Sequence, residues 1–386
     1  MAPNLQMFNG VRVTRMMKAL DDVRNLPQDL VWLGRTPIVP AVDGEIMARF
    51  RGRVLIADLI ADDQKAAVYS AGKFRIETSG IPNLKIGRLL TQEELKTFEA
   101  VTANGGIAED PDNIVGDMES GIMDACLLGV RQRMESICVA RVLDGWSYNR
   151  LGIKMDNVTW GMPSDLKITV SDPWTDHTNG KPVTDILVAK ELAKIRYGIE
   201  YDRLTISQAG FRELIQCEQF QTQARIFLAP NVSFTNLMVQ NDDQMKNLAR
   251  NVLGLKVIET YDSRAWGQDE AGNITSERFW PINKAALTFT GNDNSRAVAD
   301  FANGVTTESV VANMGALNIL GGLPRGARGP IGYVTAEHNP PQLTYWGCGR
   351  GWSRKHILQE SSVLTIAPDT GDGAIEDFIP VTEPAL

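Results

Sequence analysis

KFRIETSGIPNLKIGR, residues 73 to 88, alternates apolar and polar side chains on either side of a break. Phe74 and Ile76 alternate with Arg75 and Glu77, Ser79-Gly80 and Pro82-Asn83 interrupt the chain, and Leu84 and Ile86 then alternate with Lys85 and Gly87. A period of two predicts extended chain with one apolar face. The flanking residues are polar, glycine-punctuated and poor in bulky apolar partners, so no local core for that face is visible. RVLIADLIADDQ and the small-residue stretch AAVYSAG precede it, and residues 49 to 90 together read as two extended arms with a soft tip.

Downstream, Thr91 and Glu94 form a capping box that starts a helix, and Asn104-Gly105-Gly106 stops it. A second helix is predicted from Asp110-Pro111 to Asp144-Gly145, with Ile114, Met118, Ile122, Met134, Ile137, Val142 and Leu143 at three- and four-residue spacing. At 1.5 Å per residue it is about 50 Å long, the length of a girder through a subunit. Upstream, Val11 to Leu26 has a basic and apolar helical pattern closed by Pro27, and TPIVPAV (36 to 42) is extended. Together they read as an arm and not as part of a core.

The rest of the chain alternates short elements. Val158 to Val170 reads as β-structure, followed by the loop SDPWTDHTNGKPVTDI and a helix from Ile186 to Tyr197 that Gly198 ends. Strand RLTIS precedes helix AGFRELIQC, and helix NDDQMKNLARNVLG precedes strand LKVIETYDS. Tyr261 to Phe279 reads as a hairpin, ALTFTG as a strand, Gly304 to Gly332 as glycine-rich irregular chain, and QLTYWGCG and SVLTIAP as closing strands. This is the grammar of an α/β or α+β layer.

With 386 residues the chain is long enough for a large core and for two or three domains or subdomains. Its 43% hydrophobic and 22% charged residues place it among globular proteins. Uncharged apolar runs such as ACLLGV fall far short of the roughly 20 residues of a bilayer span. The N-terminus lacks the apolar core and cleavage site of a secretory signal, so a cytoplasmic origin is expected. Cys126, Cys138, Cys217 and Cys348 form no CxxC and are expected to be free and mostly buried. A net charge of −8 argues against strong nucleic-acid binding, although Arg12, Arg15 and Lys18 form a basic arm.

No motif makes a positive case for catalysis, a metal or a cofactor. His177, His338 and His356 are isolated. Asp172, Asp176, His177 and Asp185 lie among Pro173, Asn179, Gly180 and Pro182, which reads first as a turn-rich loop. GALNILGGLPRGARG (315 to 329) lacks the Gly-Lys-Ser/Thr end of a phosphate cradle, and no GxSxG elbow occurs. Asp62-Asp63 and Glu93-Glu94 are adjacent and solvated in this reading, not poised for acid–base work.

The order of features resembles the major capsid proteins of tailed phages, specifically the lambda-type family called major capsid protein E. The segments that carry the resemblance are VDGEIMARFRG, PNLKIGRLLTQEEL, the long helix ending in VARVLDG, SDPW and PVTDI, YDRLTISQAGFREL, PQLTYWGCGR and SSVLTIAPD. It covers nearly the whole chain and is one of element order and loose patterns. It implies an α+β fold of the Hong Kong 97 type, with an N-terminal arm (1–48) and an extended hairpin, the E-loop (49–90). A peripheral domain with the long spine helix (91–180 and 341–386, including a C-terminal extension 368–386) and an axial domain (181–340) follow. The implied function is structural: hexamers and pentamers of the chain close into an icosahedral shell, assembled in the host cytoplasm and carried in the virion, around double-stranded DNA.

On this resemblance the apolar face of the opening segment is covered by a neighbouring copy, and Phe74, Ile76, Leu84 and Ile86 are the expected contact residues. Arg12, Arg15 and Lys18 would line the inner surface and meet packaged DNA weakly. Because the loop begins by about Arg49, any scaffold is expected to be a separate protein; portal and decoration proteins are further expected partners. The acidic tail, with Phe378, Ile379 and Val381, would drape over a neighbour or receive a decoration protein. One branch of the fold forms Lys–Asn crosslinks; Lys65, Lys73 and Lys85 lie in the loop, but the sequence sets neither a carboxylate nor an Asn beside them. The alternatives are an encapsulin-like nanocompartment shell and a hydrolase with an unrecognised site.

Overall fold

The structure is a computed structural model of the chain. It describes residues 30–40, 46–49, 74–77, 81–90, 111–150, 153–227, 242–268, 274–291, 293–306, 308–309, 319–320, 328–338 and 341–368. The expected helices at 11–26 and 91–103, the basic arm residues Arg12, Arg15 and Lys18, the loop tip and the acidic tail lie outside the described residues.

In chain order the described elements begin with α1 (Val31–Arg35), β1 (Ile38–Pro40), β2 (Ile46–Arg49), β3 (Phe74–Glu77) and β4 (Asn83–Leu90). There follow α2 (Pro111–Leu143), β5 (Trp146–Arg150), β6 (Ile153–Val158), β7 (Lys167–Thr169), α3 (Pro182–Tyr197), β8 (Arg203–Ile206), α4 (Gln208–Gln216), α5 (Glu218–Phe227) and α6 (Asp242–Leu253). The chain closes with β9 (Val257–Thr260), β10 (Arg264–Gln268), β11 (Ile274–Arg278), β12 (Lys284–Thr288), β13 (Ala299–Asn303), β14 (Ile319–Leu320), β15 (Ile331–His338), β16 (Pro341–Lys355) and β17 (Ser361–Thr365). The long helix, the α3 stop at Gly198, both strand–helix pairs and the hairpin match the sequence expectations. Between Val158 and Val170 only Lys167–Thr169 is strand, because Gly161 takes a φ of 80° and a 3₁₀ turn, Ser164–Leu166, follows Pro163.

Two compact units are present. The first is built from the described parts of Met1–Ile46, Glu77–Cys138 and Asp300–Arg354, and the second from those of Met47–Ile76, Val139–Ala299 and Lys355–Leu386. In the first, a sheet of order β1-β13-β16-β15-β14 also carries β4 on β16. Its helix-side core joins Leu90, Ile122, Met123, Cys126, Leu127, Val334, Ala336, Leu343 and Tyr345. Ile38–Pro40 runs parallel to β13, and Leu30, Trp32, Leu33 and Val39 are buried. Within the expected arm, residues 30–40 therefore pack into the core of this unit. The cause is Glu135, buried on α2, whose carboxylate accepts the Trp32 and Leu33 N–H groups at 2.9 and 2.5 Å. A single acid from a distant helix satisfies two of the orphan donors of α1 beside its two large buried side chains.

The second unit holds a mixed sheet of order β7-β17-β12-β8-β9, with β17–β7 and β8–β9 parallel and the two central pairs antiparallel. Trp174, Tyr201, Phe211, Phe220 and Trp280 fill its core. Ser207 caps α4 by accepting the Gly210 N–H at 3.0 Å. The end of α2 lies in this unit. Asp144, not Gly145, takes the left-handed conformation with φ 53°, while Gly145 N–H returns to the Ala140 carbonyl. The Asp144 carboxylate offsets the conformational cost by accepting the Trp160 and Met162 N–H groups at 2.8 and 3.1 Å and pairing with Lys167 at 2.7 Å.

Candidate assembly interface

The segment 73–88 divides into two strands with different partners. β3 pairs with β2, a strand at the entrance of the expected loop, while its first arm, the stretch RVLIADLIADDQ, and the side chains of Phe74 and Ile76 lie outside the described residues. β4 pairs antiparallel with β16 of the same chain, in a register that sets Asn83 opposite Arg350 and Leu90 opposite Leu343. The start of β4 is pinned by Arg350, whose Nε donates to the Ile81 carbonyl at 3.0 Å. Pairing residues share a face of the sheet, so Ile86 lies in a row with Gly347 and Gly332, and Leu90 with Leu343 and Ala336.

Helix α2 covers that face, and two glycines allow its close approach. A Cβ on Gly347 would stand 2.5 Å from the Cys126 carbonyl oxygen, and one on Gly349 would meet Val130 at 2.9 Å. The alternating glycines of WGCGRG are thus the floor on which α2 lies. Ile86 reaches the same helix at Gly129. Ile86 and, by register, Leu84 thus lie on the face that α2 partly covers, because the glycines let the helix descend onto the strand. Cover is incomplete, and Ile86 and, on the other face, Leu89 remain exposed.

The opposite face gathers Lys85, Tyr333, Trp346 and Cys348. The Lys85 ammonium lies 4.4 Å from the Trp346 ring centre and 5.7 Å from that of Tyr333, and pairs with Glu308 at 3.4 Å. Gly87 makes room for the Trp346 ring, whose Nε1 donates to Thr335 Oγ1 at 2.9 Å. A carboxylate does stand beside Lys85, a juxtaposition hidden in the sequence because Glu308 comes from the far side of the chain. Burial pulls the Lys85 pKa down, but the Tyr333 and Glu308 contacts outweigh it and hold the pKa above its ordinary value. A raised pKa keeps the amine protonated near neutral pH, and a protonated amine is no nucleophile.

Asp176, His177, Asp185 and the cysteines have structural settings of their own. All four cysteines are free and buried, and burial pushes the Cys217 and Cys348 thiols up to about 12. In the turn-rich loop, Asp176 accepts the Thr178 and Asn179 N–H groups at 3.2 Å, Asp185 accepts Trp174 Nε1 at 2.9 Å, and His177 pairs with Glu213 at 2.7 Å. Among the described residues no helix is long and apolar enough to cross a membrane. Residues that sequence reasoning missed are Glu135, Glu308 and Gly347; only the alternation of glycines in WGCGRG carried a signal.

Known structures share this arrangement along nearly the whole chain. The putative capsid protein of a prophage of Escherichia coli CFT073 superposes with a TM-score of 0.56 at 13% identity, covering 93% of this chain and 99% of that one. A phage-related protein of Bordetella bronchiseptica RB50 gives 0.53 at 11% identity, covering 93% and 97%. This chain shares their fold. It is the mixed α+β capsid fold of the Hong Kong 97 type, as the element order of the sequence led us to expect. No protein-family model matches the sequence, and no curated protein matches it.

Proposed function

We propose that this chain is the major capsid protein of a tailed double-stranded DNA phage. In this reading many copies, as hexamers and pentamers, close into the icosahedral shell of the virion, and the chain performs no catalysis. One observation carries it: the fold is shared over 93% of this chain and 99% of a prophage protein described as a putative capsid protein. The lambda-type branch is supported by the order of loop, spine helix and α/β layer. The arm (1–48), E-loop (49–90), peripheral (91–180 and 341–386) and axial (181–340) regions are carried as functional assignments within that reading.

Phe74 and Ile76 of β3 are the proposed contacts to a neighbouring copy, joined by the exposed part of Ile86; Leu84 adds to them at the start of β4. Arg12, Arg15 and Lys18 meet packaged DNA weakly, consistent with a net charge of −8 for the chain. Scaffold, portal and decoration proteins are separate partners. Electron microscopy of the purified full chain over a range of concentration and salt tests the reading. Closed icosahedral particles are expected; a chain that stays monomeric throughout overturns it, and particles filled with a cargo enzyme instead of DNA in the native source make it a compartment.

A further inference from the structure

Helix α3 is apolar on two opposite sides. Val183, Ile186, Ala189 and Ala193 are buried in the second unit. At roughly 100° per residue, Leu187, Val188, Glu191 and Ile195 fall on the opposite side. Those apolar residues are exposed to between 46% at Leu187 and 63% at Ile195, where a surface helix is ordinarily polar. Glu191 sits in the middle of the stripe, exposed and without an ion pair among the described residues. The cations of the last turn are engaged elsewhere, Lys194 with Glu200 at 3.9 Å and Arg196 with Asp165 at 2.7 Å.

A second surface has the complementary character. Helix α5 buries Phe220 and Ala224 and ends in three consecutive exposed residues, Arg225, Ile226 and Phe227. Ile226 is 80% exposed and Phe227 54%. Arg225 likewise has no ion pair among the described residues.

We infer that these surfaces meet between copies of the chain: the last turn of α5 seats on the outer stripe of α3 of the next copy, with Arg225 against Glu191. This rests on the shell reading above, which supplies a second copy as the occupant, and charge selects that copy. An apolar stripe with an unpaired acid at its centre faces an apolar turn with an unpaired base. A symmetric α3–α3 contact would instead bring two Glu191 carboxylates together, which like-charge repulsion disfavours. Because the two patches differ, the contact is head-to-tail, the class of contact that builds a ring when its rotation closes, as the hexamers and pentamers of the shell reading require. Each patch is only a few side chains, well short of the about 800 Å² per partner of a self-sufficient interface, so the contact holds when further contacts around the assembly add to it.

The test uses the purified full chain, Glu191→Arg, Arg225→Glu and the double exchange, read by sedimentation velocity and negative-stain microscopy, with circular dichroism to establish that each variant is folded. Both residues are exposed, so the fold is expected to survive. Each single exchange sets like charges against each other and is expected to lower particle yield by about tenfold or more, while the double exchange restores most of it. Single variants that assemble at the wild-type yield overturn this contact and leave the shell reading standing. Folded single and double variants that all fail to assemble overturn the Arg225–Glu191 pairing. A wild-type chain that never forms particles overturns both readings.

Discussion

Glu135 illustrates how much one side chain decides. It is fully buried, and its two oxygens hold the amides that open α1, so its loss strands two buried donors. Glu135→Ala is expected to destabilise the chain by about 2–4 kcal/mol in urea unfolding, and Glu135→Gln by less, since the amide keeps one acceptor oxygen. Gly347 acts by absence. A methyl there meets the Cys126 carbonyl, a backbone atom that cannot swing aside, whereas one on Gly332 meets the flexible end of Met123. Gly347→Ala should therefore cost about 1–3 kcal/mol and Gly332→Ala distinctly less, a contrast that paired thermal melts measure.

At the scale of elements, Asp202 joins the ends of three strands. Its backbone N–H donates to the Thr288 carbonyl, its carbonyl accepts from Lys256 and Val257, and its carboxylate binds Thr290 N, Thr290 Oγ1 and Lys256 Nζ at 2.7, 2.8 and 2.8 Å. Burial raises the carboxyl pKa, but these hydrogen bonds and the Lys256 charge outweigh it and lower it below the ordinary value of 3.8. A depressed carboxyl contributes stability that is complete above its unfolded pKa and is lost as pH falls through the folded one. Asp202→Asn should then lower the melting temperature at pH 7, and the difference from wild type should shrink as the pH drops below about 3.8, the ordinary aspartate value. An unchanged difference at acid pH would mean that the hydrogen-bonding geometry of the carboxyl, and not its charge, is what the strands require. At the end of α2 the sign is opposite: Lys355 is fully buried and donates to the Arg141 carbonyl at 3.4 Å, and burial, disfavouring its charged form, lowers its pKa.

At the scale of the whole molecule, the loop test separates self-packing from shell contact. Phe74→Asp with Ile86→Asp is expected to leave a folded chain whose particles are fewer and melt earlier, read by microscopy and calorimetry; unchanged particles would remove the loop from the interface. Much of the fold was legible in residue order, because helix length, caps and period-two strands are local properties of chain sterics and patterning. The 33-residue α2 was readable for that reason, as were the Gly198 stop and the hairpin at Tyr261 to Phe279. The segment 73–88 marks where such reading ends. Its alternation announced an apolar face, but whether that face belonged to the same chain depended on β16 and α2, which come from distant sequence. Glu135 reaching α1 and Glu308 reaching Lys85 are of the same kind. Local pattern specifies which atoms need cover, while only the folding together of remote segments, through close approach at Gly347 and charges met across the chain, chooses what covers them.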